Sequence, residues 1–257
     1  MLTVSGAALQ AWVAMFFFPF FRILALCSSA PLLGHKNVPQ RVRIGLALLL
    51  TVLIVPTLDH VPAVTPLSAA GVLLLLQQLI VGFALGFTLQ LVFAAVELAG
   101  EVAGLQMGLS FATFIDPTNS GHQSPVTGSF MTLLLTLVFL SVNGHLLLLA
   151  GLADSFHGLP AYHTALPALD FQAIAVAAGR LFADGLQLAL PLIGTMLMVN
   201  LALGVLTRTA PQLNLFAVGF PITLLVGLLV MWLALPWVLP AMERAIQATF
   251  DYWLRAL

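Results

Sequence analysis

Two carboxylates, Glu97 and Glu101, stand four residues apart, a spacing that puts both on one face of a helix. Such a pair could do general acid and base work. No nucleophile, metal cluster or oxyanion donor accompanies them in the sequence, so catalysis is not expected. They read instead as carboxylates turned toward a lumen, a polar loop or a neighbouring subunit. The other candidates for chemistry are as sparse. Six histidines (His35, His60, His122, His145, His157 and His163) are scattered without zinc-type spacing. His145 follows Asn143-Gly144 inside an apolar run, where a hydrogen-bonded structural role is expected. The single cysteine, Cys27, excludes an intrachain disulfide and a multi-cysteine metal site. Leu24-Ala25-Leu26-Cys27 has the outline of a lipoprotein cleavage site, but the large Leu26 argues for a buried structural thiol. No metal and no cofactor are expected.

Three other features carry mechanism. Arg22 is a charge inside an apolar run, expected either to pair with a carboxylate of this or a neighbouring subunit or to snorkel to the interface. Gly100, Gly104 and Gly108 recur every four residues, a small-residue stripe that permits close helix approach. Met107, Phe111 and Phe114 lie along the same stretch, followed by Asp116-Pro117, Asn119 and Gly121, a turn-rich exit. This stretch is either a connector with core aromatics or an irregular loop whose apolar side chains can seal a lumen against water. Finally, Arg208-Thr209-Ala210-Pro211-Gln212-Leu213-Asn214 is a tight polar turn, either an ordinary hairpin turn or a contact for a partner.

The elements that must position these residues are set by composition. Apolar residues make up 61% of the 257 and charged residues 7%, where soluble domains run near about 45–50% and about 25%. Eight Lys+Arg and nine Asp+Glu are too few to coat a soluble globule, so the chain must be solvated by lipid or by other apolar subunits. A net charge of -1 and no basic run argue against nucleic acid. Residues 1–11 hold no Lys or Arg, so 1–31 reads as mature protein rather than a cleavable signal.

Six apolar segments follow: 9–31, 44–58, 67–96, 126–152, 171–206 and 215–239. Between them lie a basic loop with Lys36, Arg41 and Arg43, a polar Gly-rich connector at 97–124, a loop at 153–170 and the 207–214 turn. An amphipathic tail at 241–257 closes the chain. The runs are continuous and Leu/Ala-rich, so helices are expected and barrel strands are not. Segments 67–96 and 171–206 exceed a bilayer's needs. Gly82, Gly86 and Pro191 stand where breaks would shorten them. Short-loop positives put the 36–43 loop and Arg208 on the cytoplasmic side. The 97–124 connector lands there too without a Lys or Arg, which fits a segment tucked inside the molecule.

Three blocks carry a family resemblance: 97–117 (Glu-Leu-Ala-Gly-Glu-Val-Ala-Gly-Leu-Gln-Met-Gly-Leu-Ser-Phe-Ala-Thr-Phe-Ile-Asp-Pro), Asn143-Gly144-His145, and 200–221 with its Arg-x-x-Pro-Gln-x-Asn-x-Phe core. They resemble the FliR family, an inner-membrane component of the flagellar type III export gate whose injectisome counterpart is the SctT family. Arg22, Pro31, Pro39 and the basic loop also match. The resemblance spans essentially the whole chain and is weakest at 153–170.

The resemblance implies an all-α integral-membrane subunit. Residues 1–152 would be FliP-like, 153–170 a connecting loop, and 171–257 a FliQ-like hairpin with its tail. One copy would complete a ring of FliP and FliQ subunits, the entry portal for unfolded flagellar subunits, standing largely on the periplasmic side of the membrane plane. Residues 104–124 would be its plug, with Gly104, Met107, Gly108, Phe111, Phe114, Asp116 and Pro117 as gating residues. Arg22, Glu97 and Glu101 would make lumen or inter-subunit contacts. Arg208, Pro211, Gln212 and Asn214 would meet an FlhB-type switch protein. Use in an injectisome is the near alternative. A small-solute permease is a more distant one, weakened because polar groups concentrate in connectors rather than at a midplane site.

Overall fold

Apolar runs of this kind can satisfy their backbone in lipid only by bonding within the segment, which is why they fold as helices. The computed structural model describes residues 6–58, 64–109, 126–159, 171–209 and 215–256. In chain order these form α1 (Gly6–Ser29), α2 (Gln40–Ile54) with a 3-10 turn at Val55–Thr57, α3 (Ala69–Gln106), α4 (Val126–Ser141), α5 (Gly144–Gly158), α6 (Phe171–Thr209) and α7 (Leu215–Ala256). No strand occurs among the described residues. Five helices are long and apolar enough to cross a membrane, and the broken pair α4 and α5 makes a sixth span if counted together. The chain is an all-α integral-membrane protein.

Several expected boundaries move. Helix α3 runs unbroken for 38 residues, so the connector expected from 97 is helical through Gln106, and Gly82 and Gly86 are not breaks. Each glycine sits where another backbone arrives: a Cβ on Gly82 would strike the Arg22 carbonyl, and one on Gly86 would strike Ser29. Missing side chains here let α1 approach α3 closely. Helix α6 continues through Pro191, although the proline has no N–H to give the Gln187 carbonyl. Helix α7 runs 42 residues through Pro221, Pro236 and Pro240, and it absorbs the tail expected as a separate piece. The run 126–152, in contrast, is divided. Asn143 takes a left-handed conformation (φ 55°) and caps α5, its carbonyl accepting from the N–H groups of Leu146 and Leu147. Helix α5 then reaches Gly158, so the loop expected from 153 begins later.

The helices cluster into two units, each drawing on both halves of the chain. The first comprises Met1–Leu91, Asn143–Ile174 and Ile246–Leu257. Its core is Phe18, Ile23, Leu26 and Cys27 of α1 with Leu74 and Leu89 of α3 and Leu152 of α5. The Cys27 thiol is free and buried, as expected of a structural cysteine. Arg43 closes the α1–α2 connection: its Nε donates to the Leu33 carbonyl at 2.9 Å, and Nη2 donates to those of Gly34 and His35 at 3.1 and 2.7 Å. Carbonyls beyond a helix end need such donors.

The second unit comprises Val92–Val142 and Ala175–Ala245. Phe93 meets Phe139 edge-on at 6.2 Å. A small apolar void of about 30 Å³ is lined in part by Met131, Met231 and Met242. Only 17% of the apolar stretches Gly185–Thr209 and Val218–Asp251 is buried within the chain. Their outward leucines and tryptophans, Trp237 at 80% exposure among them, must therefore meet lipid or other subunits.

Candidate functional site

The expected plug begins where α3 stops, and the stop has a defined construction. Gly108 takes φ 82°, a conformation costly for any residue with a Cβ. Its N–H bonds to the Leu105 carbonyl at 3.1 Å, and the Leu109 N–H bonds to the Gly104 carbonyl at 3.0 Å. This pair of bonds around a left-handed glycine is a Schellman motif, which satisfies helix-end carbonyls while turning the chain aside. Met107, just before the turn, is fully buried. Its carbonyl accepts from the Thr223 hydroxyl at 3.2 Å. Its thioether lies against Gly227, where a Cβ would fall 2.8 Å from Cε and 2.9 Å from Sδ. The end of α3 is thus held on α7 by two residues one turn apart.

The chain comes back to the same helix at the start of α4. A Cβ on Gly100 would lie 2.6 Å from the Thr127 carbonyl oxygen and 2.7 Å from Gly128 Cα. Glu97 and Glu101 flank this crossing, half-buried. A Cβ on Gly128 would lie 3.1 Å from Glu101 Cγ and 3.6 Å from Glu97 Cγ. The two carboxylate stems therefore share the face of α3 that the spacing predicts, against the first turn of α4. Of the expected plug residues, Gly104, Met107 and Gly108 come together at this site. Phe111, Phe114, Asp116 and Pro117 lie outside the described residues.

Arg22 occupies an interior position in the first unit, with none of its surface exposed. Its acceptors are neutral, and among the described residues no carboxylate of this chain meets it. Nε donates to Gln78 Oε1 at 2.7 Å, Nη1 to the Ser155 carbonyl at 2.6 Å and to Ser155 Oγ at 3.2 Å, and Nη2 to the Leu159 carbonyl at 2.7 Å. The Phe156 ring lies 4.3 Å below the guanidinium, close enough for a cation–π contact. Two of these acceptors are carbonyls at the C-terminal end of α5, where the helix dipole favours a cation. The cluster is not fully satisfied: Gln78 Nε2 is buried without a hydrogen-bond partner, as is Oε1 of its chain neighbour Gln77.

Arg208 is exposed in the last turn of α6. Pro211, Gln212 and Asn214, the rest of that turn, lie outside the described residues. Sequence reasoning missed Thr223 and Gly227, and also Gln78, Ser155 and Phe156. A glycine and a threonine four apart in an apolar run were a weak sign for the first pair. Nothing local marked the others.

These findings agree with comparison to known proteins. The family described as bacterial export proteins, family 1, matches residues 13–249. The chain is 47% identical over 252 residues to flagellar biosynthetic protein FliR of Pectobacterium carotovorum, covering 98% of this chain and 95% of that one. It is 46% identical over 253 residues to the Escherichia coli protein of the same name, with the same coverage. Similarity to the Bacillus subtilis protein of that name is 34% over 240 residues, 92% of each chain. A match running through nearly every helix described above, at this level of identity, makes the chain a member of the bacterial export proteins, family 1, the family of flagellar biosynthetic protein FliR.

Proposed function

We propose that this chain is a structural and gating subunit of the flagellar protein export channel, embedded in the bacterial inner membrane at the flagellar basal body. It would serve secretion of unfolded flagellar subunits and hence flagellum assembly. Family membership supports the export role, and the names of its relatives support the flagellar setting. One observation carries the gating part. Helix α3 is turned aside at Gly108 while held by α7, and the chain re-enters against Gly100 of the same helix. The described residues on both sides of 110–125 therefore pack against α3. Apolar side chains so supported can exclude water from a narrow lumen and then move aside.

In this reading the FliP-like part is 1–152, the FliQ-like hairpin and tail are 171–257, and 153–170 connects them. FliP and FliQ subunits complete a hetero-oligomeric ring, and the FlhB-type protein meets the turn carrying Arg208. At 1.5 Å per residue α3, α6 and α7 are about 57, 59 and 63 Å long, against a hydrocarbon core of about 30 Å. The excess length suits a ring that projects to the periplasmic side with partner subunits covering it. The role is structural, and we assign no catalysis and no cofactor.

The test is deletion of residues 111–121 in the assembled membrane complex. An assembly of normal composition that conducts small ions supports the plug; an unchanged ion barrier removes it. Recovery of the tagged chain from mild detergent as a small, self-contained particle would overturn the subunit reading.

A further inference from the structure

We infer that Thr223 and Gly227 of α7 are positioning residues for the plug, an inference resting on the plug reading above. Three independent features converge on them. The Schellman turn fixes where the α3 helix ends, but it uses only the Gly104 and Leu105 carbonyls. The Met107 carbonyl is left over, and Thr223 donates to it from another helix. The same hydroxyl is also 3.0 Å from the Phe220 carbonyl of its own helix. One proton serves two acceptors, so the bond to Met107 can be exchanged for a local one at small cost.

Gly227 supplies the second feature. Its lack of a side chain is what admits the Met107 thioether. A methionine has three rotatable bonds and fills such a gap without demanding one geometry. The third feature is the placing of both residues on α7. Gly219, Gly227 and Met231 are buried at four-residue spacing with Thr223 between them, while Leu225, Leu229 and Trp232 are exposed. Thr223 and Gly227 face the end of α3, and the exposed apolar face is left for other subunits. Displacement of α7 by whatever covers that face would change the seat of Met107 directly. The return end has no such latitude, because there two backbones meet at Gly100 and Gly128. The α3 end is thus the adjustable one.

The experiment uses the assembled complex and a size exchange. G227A should push Met107 from its seat and raise ion flux at least about tenfold at unchanged subunit composition. Adding M107A removes Cγ, Sδ and Cε, the atoms the new methyl would strike, so G227A should have no further effect in that background: the double variant should leak within about twofold of M107A alone, the non-additivity of contacting residues. A general loss of stability would instead add to the leak of M107A. Independently, T223V should leak and T223S, which keeps the hydroxyl, should restore the barrier. A tight G227A complex, or a G227A leak that adds in full to that of M107A, overturns the inference. The deletion of 111–121 separates the two proposals: if it leaks while T223V and G227A do not, the plug stands and the positioning role falls. If none of them leaks, both fall.

Discussion

The Nη1 nitrogen of Arg22 lies 2.6 Å from the main-chain oxygen of Ser155, 133 residues further along the chain. A charge in an apolar interior is costly unless it is fully hydrogen-bonded. Here the helix end of α5 supplies the carbonyls of Ser155 and Leu159, of which the first also accepts from the Leu159 N–H at 3.0 Å. Arg22→Met should therefore lower stability by about 2–4 kcal/mol, since it takes the donor from buried Gln78 Oε1 as well as from the helix end. Arg22→Lys should recover part of the loss, having a point charge but no planar fork. Thermal unfolding of the assembled complex in detergent reads both.

Gln77 and Gln78 are neighbours with opposite expectations. Gln78 Oε1 accepts from Arg22, so Gln78→Leu should cost about 1–3 kcal/mol. Gln77 Oε1 is buried without a donor, so Gln77→Leu should be neutral or stabilising by up to about 1 kcal/mol. Equal losses for the two would show that the Arg22 bond is not what Gln78 contributes.

Glycine substitutions should also divide. Gly100→Ala places a methyl 2.6 Å from the Thr127 carbonyl oxygen, and both sides of that contact are backbone. A loss of about 1–3 kcal/mol is expected, since α3 and α4 must separate. Gly45 in α2 has nothing within 4 Å of its added Cβ. Gly45→Ala should raise stability by about 0.5–1 kcal/mol through helix propensity alone. Melting temperatures of the two variants, measured side by side, check the contrast.

Arg208 is exposed in the last turn of α6. On the proposed reading that this turn meets an FlhB-type protein, Arg208→Glu should leave the proposed ring intact and reduce recovery of that partner. Co-purification at the parent yield would show that the partner binds elsewhere.

The all-α membrane class was readable from composition, because a chain with so few charges has few other solutions. Helix ends and contacts were harder to read. Glu97 to Gln106 looked like a connector because Gly100 and Gly104 are poor helix formers in isolation. Tertiary packing against Thr127 and Gly128 overrides that preference. Gly82 and Gly86 looked like breaks for the same reason, and their use depends on α1, some 60 residues earlier. In the candidate site, the stripe ending at Gly108 was legible because a helix stop has a local signature. Thr223 was not, since its acceptor is 116 residues away. For Arg22 the charge alone points to a carboxylate of this or a neighbouring subunit or to the interface; the carbonyls at the end of α5 that accept from it carry no mark in the sequence.

Helix α7 carries prolines at 221, 236 and 240 along 42 residues. Each withholds one rung of the helical ladder, including those to the Trp232 and Pro236 carbonyls. Such a rod is stiff between its prolines and compliant at them. Residues 222–231, which include the contacts to Met107, lack no rung, whereas from Trp232 onward the ladder is missing two. Force applied beyond Trp232 would be taken up as bending there before it reached Thr223. Force applied to the unbroken stretch itself would pass to α3 almost undiminished.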